Sequence, residues 1–127
     1  MQVAKGLLYS KDHEWVKCEG ASIRIGITDF AQDKLGDVVF VEVPSLDDQL
    51  IQGEPFTVVE SVKAVSEIIA PIDGTIVAVN DRLEDSPELI NEDCYGQGWI
   101  VSVEPQDEEY VDNLMTDQEY EIYLKEV

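Results

Sequence analysis

Alternation of apolar and polar positions is the dominant pattern in the first half of the chain. Between residues 14 and 27, Ile23, Ile25 and Ile27 alternate with polar or small residues, which is the period-two pattern of a half-buried strand. Glu19-Gly20 interrupts the run and indicates a turn. The segment therefore predicts two short strands. TIVAVN and GWIVSVEP, later in the chain, predict further strands.

One strand is expected to be more deeply buried than the others. In DVVFVEV, at residues 37–43, valines occupy one face, and Val38 and Phe40 occupy most of the other. A β-branched run of this kind is typical of a strand buried on most of both faces. Pro44 is expected to end it, because proline cannot donate to the ladder.

Helical signals are short until the C-terminal region. Thr28 is placed to cap DFAQDKL, a short helix that Gly36 would end. SPELI predicts one further helical turn. After Pro105 the pattern changes from strand to helix, and residues 106–127 predict two helices.

The second of these helices carries its own start signal. Thr116, with a glutamate at position 119, forms a capping box. An apolar stripe follows at helical spacing, made of Tyr120, Tyr123, Leu124 and Val127. We interpret the stripe as a face that packs onto the β core. A face that binds a partner is the alternative.

Periodicity alone leaves residues 58–76 ambiguous between a helix and a pair of strands. Apolar residues four, three and four apart would suit a helix. However, β-branched residues dominate the segment, and Gly53 and Gly74 punctuate its two sides almost symmetrically about Lys63. These features favour a hairpin with Lys63 at its tip, where a modifying enzyme can reach it. An ordinary solvated lysine is the alternative.

Together these elements predict a mainly β protein. We expect a sandwich of antiparallel strands with short peripheral helices and a helical C-terminus. The 127 residues suit a single domain spanning residues 1–127. No low-complexity linker divides the chain, and no long-period repeat is evident.

The charge is strongly acidic. The chain has 28 acidic residues against 8 basic ones, a net charge of −20. Nucleic acid is excluded as a partner, because nothing in the chain could neutralise a row of phosphates. An anionic membrane surface is disfavoured for the same reason. We interpret the charge as a source of solubility, with steering of partners that carry basic patches as a compatible alternative.

Cysteine usage and the N-terminal segment predict a cytoplasmic protein. Cys18 and Cys94 lie far apart and form no paired motif, so free thiols in a reducing compartment are expected. The N-terminal segment lacks the apolar run of a signal peptide. One histidine and two scattered cysteines give no familiar set of metal ligands.

ESVKA at residues 60–64 resembles the lipoylation motif of the glycine cleavage system H-protein family. The resemblance continues in family order through YSKDHEWVK at 9–17, IGITDFAQDKLGDVVFVEVP at 25–44, APIDGTIVAVN at 70–80, PELIN at 87–91 and GQGW at 96–99. Biotinyl carriers are less similar, because their lysine usually lies between two methionines and not between Val62 and Ala64. The lipoyl domains of 2-oxoacid dehydrogenases usually have Asp-Lys-Ala, and they lack the His-Glu-Trp segment and the helical C-terminus.

The resemblance implies a carrier and not an enzyme. The implied fold is a β-sandwich of the lipoyl/biotinyl hammerhead type, also called a barrel-sandwich hybrid. In the family, lipoic acid is bound to the lysine, here Lys63, through an amide bond. The resulting uncharged arm is about 14 Å long from ordinary bond lengths. The protein carries the arm between partners and shields it from water in a cleft, and the cofactor and partners supply the chemistry.

The same resemblance implies four partner enzymes. Glycine decarboxylase, which uses pyridoxal phosphate, leaves the aminomethyl group of glycine on the arm. An aminomethyltransferase passes the one-carbon unit to tetrahydrofolate, and dihydrolipoamide dehydrogenase reoxidises the arm. A lipoylating enzyme attaches the arm. We expect the carrier to act as a monomer.

Three acidic residues are implied as contacts for the loaded arm in a sheltering cleft. They are Glu14, Glu67 and Asp12, whose carboxylates would hold the cationic amine. The family commonly has serine at position 12 and aspartate at position 67, so this chain departs from the family at both. Solvated surface acids are the alternative interpretation.

Four other residues invite an interpretation. His13 lies between two acids and suggests a general base or metal ligand, but we favour a structural or cleft-lining role. Trp15 and Trp99 are interpreted as core anchors. Cys94 stands in a segment where the family often has proline before Tyr-Gly, and the sequence assigns it no role.

Three alternative functions remain open at this point. The first is an H-like carrier that serves lipoyl relay to other complexes or carries intermediates in sulfur metabolism. The second is an acidic interaction domain that is never modified. The third is an enzyme built on His13 and nearby carboxylates.

Overall fold

Two antiparallel sheets form the protein. The computed structural model describes all residues, 1–127. The strands are β1 (Leu8–Tyr9), β2 (Glu14–Glu19), β3 (Ser22–Ile27), β4 (Val38–Val41), β5 (Gln49–Leu50), β6 (Pro55–Ser61), β7 (Val65–Ile69), β8 (Gly74–Val79), β9 (Val101–Pro105) and β10 (Met115–Thr116). The helices are α1 (Asp29–Leu35), α2 (Arg82–Asp85), α3 (Leu89–Glu92), a 3-10 helix (Glu108–Asn113) and α4 (Asp117–Leu124).

The larger sheet has 7 strands in the order β10-β1-β2-β3-β9-β8-β5, and the smaller has 3 in the order β4-β6-β7. Apolar side chains of both sheets meet in a main core of 19 buried residues. The mainly β fold with short helices and a helical C-terminus is confirmed. The two strands expected on either side of Glu19-Gly20 are β2 and β3, paired from Glu14↔Ile27 to Glu19↔Ser22.

A smaller aromatic core lies beside the main one. Its buried members are Tyr9, Trp15 and Tyr120. Trp15 is an anchor, as expected, and its indole N–H donates to the Cys94 carbonyl at 2.9 Å. Gly26 is the register partner of Trp15, and a Cβ at this glycine would lie 2.6 Å from the indole ring. The strand therefore carries glycine here so that the tryptophan can lie across it.

Helix α1 begins and ends at the expected residues. Thr28 Oγ1 accepts a hydrogen bond from the Ala31 amide at 3.3 Å, which satisfies one of the free donors of the first turn. Gly36 ends the helix with φ 82° and ψ −161°, and its N–H donates to the Gln32 carbonyl. This backbone conformation is open essentially to glycine alone.

The prediction for the segment 37–43 is wrong in two respects. Strand β4 ends at Val41, short of Pro44, and it is not buried on both faces. Val39 and Phe40 are 53% and 50% exposed. The physical reason is a bulge between Val38 and Phe40, which breaks the alternation of faces that the sequence pattern assumes.

The C-terminal region is helical, but its first segment is a 3-10 helix. In α4 the expected capping box is present: Thr116 Oγ1 accepts from the Glu119 amide at 3.2 Å, and the Glu119 carboxylate accepts from the Thr116 amide at 2.9 Å. Tyr120 is fully buried, which confirms packing onto the β core. Val127, at the end of the predicted stripe, is 61% exposed and does not take part.

Removing the capping hydroxyl in Thr116→Ala is expected to lower the free energy of unfolding by about 1 kcal/mol, because the Glu119 amide in the first turn of α4 loses its acceptor. Urea denaturation measures this change. Thr116→Ser keeps the hydroxyl and serves as the control. An equal loss in both variants would show that the cap is not the cause.

No helix in the structure combines the length and apolar character that a membrane crossing requires.

Candidate functional site

Lys63 lies at the tip of the β6–β7 hairpin. The two strands pair from Pro55↔Ile69 to Glu60↔Val65, so residues 62–64 form the connection. The Ser61 amide donates to the Ala64 carbonyl at 2.8 Å and closes the turn. The hairpin expected from β-branching and glycine punctuation is therefore the observed structure, and Lys63 is exposed at its end.

The side chain of Ser61 orders the turn from inside. Its hydroxyl oxygen accepts hydrogen bonds from the amides of Lys63 at 3.3 Å and Ala64 at 3.0 Å. The Val62 amide donates to the Asp37 carbonyl at 3.0 Å, which ties the tip to the segment after α1. These hydrogen bonds fix the backbone at Lys63, whereas its side chain is exposed and extends away from the turn.

Lys63 extends over the C-terminal end of α1. Its Cε lies 3.1 Å from the position a Cβ would take at Gly36. The glycine that ends the helix therefore also leaves room for the methylene chain of the lysine. This contact directs the lysine toward the same helix that walls the neighbouring cleft.

Ser61→Ala is expected to loosen the tip. The amides of Lys63 and Ala64 lose their shared acceptor, and we expect their hydrogen exchange to accelerate roughly tenfold, for a net cost of about 1 kcal/mol. Exchange measured by NMR tests this. Ser66→Ala, on β7 beyond the turn, is the control. Unchanged exchange at both tip amides in Ser61→Ala would contradict the assignment.

A cleft of about 380 Å³ opens beside the tip. Strand β7, the last strand of the small sheet, forms one side from residue 65 to residue 69, and α1 and residues 12–14 form the rest. The volume lies in the range of about 300–1,000 Å³ that is usual for small-molecule sites. The lining is mostly apolar, with Ile27, Phe30 and Leu35 among its members.

The structure brings the three sequence-predicted acids together in this cleft. Asp12, Glu14 and Glu67 all line it, from a loop, from the start of β2 and from β7 respectively. Asp12 and Glu67 are exposed at its edge, whereas Glu14 is only 2% exposed. The surface-acid alternative is therefore wrong for Glu14.

Glu14 is a buried carboxyl, and its hydrogen bonds only partly offset the cost of burying its charge. Burial raises its pKa from the ordinary value of 4.5 to about 8. The Ser10 hydroxyl donates to Oε1 at 2.6 Å and acts in the opposite direction, as does the Ile69 backbone. Such a group is costly to ionise unless a cation is placed beside it.

His13 lines the same cleft but is engaged elsewhere. Its Nδ1 lies 2.8 Å from the Tyr120 hydroxyl, and its ring lies 4.5 Å from Phe30. Burial lowers the pKa of this histidine. The chain contains no group of three or more His, Cys, Asp or Glu side chains arranged to hold a metal ion. These contacts support the cleft-lining interpretation of His13.

Trp99 and Cys94 lie outside the cleft. Trp99 is half-buried and carries Arg24 over its ring at 4.4 Å, so it is a weaker anchor than Trp15. Cys94 is buried, and burial raises the pKa of its thiol to about 12. Both cysteines are free, as expected.

Three residues of the site carry no sequence signal that we recognised. Ser10 meets Glu14 across a turn, Phe30 lies on the cleft side of α1, and Lys34 places a cation in the same lining. The spacing of Phe30 and Lys34, four apart in a predicted helix, is the one pattern that indicates a shared face.

Comparison with known proteins decides the family. The family model described as "Glycine cleavage H-protein" matches residues 7–127. The chain belongs to this family. Two relatives named "Glycine cleavage system H protein", from Bacillus pumilus strain SAFR-032 and Bacillus subtilis strain 168, are 56% and 52% identical over 126 residues, covering 99% of this chain and of each relative.

A solved structure agrees with the family assignment. The crystal structure of a glycine cleavage system H protein from Mycobacterium marinum superposes with a TM-score of 0.87 at 38% sequence identity, covering 97% of this chain and 99% of the other. The lipoyl-type β-sandwich expected from the sequence resemblance is thereby confirmed.

Proposed function

We propose that the chain is the lipoyl-bearing carrier of a glycine cleavage system, with lipoic acid attached to Lys63. The observation that carries the proposal is the juxtaposition of an exposed hairpin-tip lysine with an apolar cleft that contains a buried carboxyl. Family membership supports the carrier class.

The residues present fit such a group. The lysine methylenes already lie against Gly36 at the edge of α1, and the cleft wall continues from α1 with Phe30, Ala31 and Leu35. An apolar chain on Lys63 would gain shelter there from water. The bound lipoyl group would supply a dithiolane able to take up a one-carbon fragment and electrons.

We assign the acids of the cleft to the cationic amine of the transferred aminomethyl group. Glu14 is the main contact, because a positive charge beside a buried carboxyl favours its ionised form and lowers its pKa. Loading would therefore release a proton from Glu14 near neutral pH. Glu67 and Asp12, at the exposed edge, add attraction that water partly screens.

In this proposal the chain is a shuttle and not an enzyme. It accepts the aminomethyl group of glycine from the pyridoxal-phosphate-dependent decarboxylase and presents it to the tetrahydrofolate-dependent aminomethyltransferase. Dihydrolipoamide dehydrogenase then removes the electrons. The net charge of −20 favours encounter with partners that carry basic patches. The free thiols suit action in the reducing cytoplasm.

Reconstitution tests the proposal. The chain, before and after treatment with a lipoate ligase, is mixed with the decarboxylase, and glycine–CO₂ exchange is measured. We expect exchange only with the treated chain. Exchange with untreated chain, or CO₂ release by the chain alone, would overturn the carrier assignment. Modification without exchange, but with lipoyl transfer to another complex, would favour the relay alternative.

A further inference from the structure

The C-terminal helix reaches the cleft through one buried hydroxyl. Tyr120 of α4 has no exposed surface, and its ring stacks on Tyr9 with centroids 4.5 Å apart and an interplanar angle of 1°. Its hydroxyl lies 2.8 Å from His13 Nδ1 and 2.8 Å from Thr28 Oγ1. The aromatic stacking fixes the position of this hydroxyl.

The two partners of the hydroxyl belong to neighbouring segments of the cleft lining. His13 lies between Asp12 and Glu14, in the segment that carries two of the acids. Thr28 is the N-cap of α1, which supplies Phe30, Ala31, Lys34 and Leu35 to the same lining. The Thr28 amide also donates to the His13 carbonyl at 3.0 Å. The Tyr120 hydroxyl therefore bridges these two segments where they meet.

His13 has a backbone conformation that needs such support. Its φ is 69°, and a left-handed conformation costs a non-glycine residue roughly 1–3 kcal/mol. The centroid of its ring lies 4.5 Å from that of Phe30 and 5.8 Å from that of Tyr123, so aromatic rings surround it. Of its two neighbours in the chain, Asp12 is exposed and Glu14 is buried.

The hydrogen bonds can be ordered consistently in one direction. Thr28 Oγ1 accepts from the Ala31 amide and keeps its proton for the Tyr120 oxygen. Tyr120 can then donate its own proton to His13 Nδ1. This order requires a neutral imidazole with its proton on Nε2. Burial, which lowers the pKa of His13, favours that form.

We propose that Tyr120 and His13 are positioning residues: they hold the acid-bearing loop against α1, so that the Glu14 carboxyl stays buried and directed into the cleft. The purpose given to the cleft rests on the proposed function, but the positioning itself is a property of the unmodified chain. The C-terminal helix is thus part of the site, although none of its residues lines the cleft.

The test uses the unmodified full chain. In Tyr120→Phe, which removes only the hydroxyl, we expect the NMR-titrated pKa of Glu14 to fall by about one unit or more, because water gains access. Amide exchange at residues 12–14 should accelerate roughly tenfold. His13→Phe, which keeps a ring but loses the acceptor, should behave alike and provides the test if Tyr120→Phe does not fold.

His13→Asn supplies the rescue. Asparagine tolerates the left-handed backbone, and its side-chain oxygen occupies nearly the position of Nδ1, so the Glu14 pKa should stay close to that of the wild type. Tyr110→Phe, whose hydroxyl contacts Cys18 outside the cleft, is the matched control. If Tyr120→Phe and His13→Phe leave the Glu14 pKa and the exchange unchanged, the positioning role is wrong. Failure of lipoylation would not alter either result.

Discussion

Lys63→Arg is expected to abolish carrier activity completely while leaving the fold intact. Arginine keeps the positive charge and the length of the side chain at the exposed tip, so the free energy of unfolding should change by about 0.5 kcal/mol or less. However, the guanidinium is always protonated and cannot act as the amine nucleophile that forms the amide. Glycine–CO₂ exchange in the reconstituted system should fall to background.

Lys34→Arg is the matched control. Lys34 lines the same cleft, with its Nζ 5.4 Å from the centroid of the Phe30 ring, but it lies on α1 and not at a hairpin tip. This variant should be lipoylated and support exchange within about twofold of the wild type. Exchange that survives in Lys63→Arg, or disappears equally in both variants, would contradict the attachment site.

Glu14→Gln is expected to stabilise the protein at neutral and alkaline pH. With a pKa of about 8 in the folded state and an ordinary value of 4.5, Glu14 stays protonated in the fold while it ionises in the unfolded chain. The contribution of Glu14 to the free energy of unfolding is therefore fully present below pH 4.5. It is lost as the pH rises toward 8, at up to about 1.4 kcal/mol per pH unit. Glutamine does not titrate and can still accept from Ser10.

Urea denaturation of both proteins between pH 4 and pH 9 measures the effect. The variant should be more stable by a few kcal/mol at pH 8, on the order that the linkage relation gives, and the difference should nearly vanish at pH 4. Glu67→Gln, at the exposed edge of the same cleft, should differ little from the wild type at any pH. A wild type that gains stability relative to Glu14→Gln as the pH rises would contradict the buried-acid assignment.

The same substitution should impair function. A neutral amide cannot offset the charge of an amine in a low-dielectric site, so the loaded arm should lose its deep contact. A gain in stability together with a loss of retention is typical of a site kept at the expense of stability. The role of Glu14 would then be to ionise when the cationic amine is bound, and not to stabilise the fold by packing.

Local features of the fold could be predicted from the sequence because each depends on neighbours in the chain. The caps at Thr28 and Thr116, the end of α1 at Gly36 and the β6–β7 hairpin follow from turn chemistry and β-branching within a few residues. The position of Lys63 at the tip belongs to this group. Its proposed chemistry came from the resemblance, since exposure alone does not distinguish one lysine from another.

Features that depend on distant contacts could not be predicted. The bulge in β4, which exposes Val39 and Phe40, arises from pairing with β6 and leaves no mark on an apolar run. Glu14 is buried beside a cleft that it shares with β7, which begins more than 50 positions further along the chain. Tyr120 could be predicted as a packing residue, but the role of its hydroxyl required the structure, because His13 lies 107 positions away.

The mass of the intact protein, isolated from a host that makes lipoic acid, distinguishes a lipoyl carrier from an unmodified domain. We expect an increase of one lipoyl group, located by fragmentation to Lys63 and absent from Lys63→Arg. Protein of unmodified mass, from a host in which other lipoyl proteins are fully modified, would contradict attachment at Lys63. A lipoyl group on another lysine would contradict it equally.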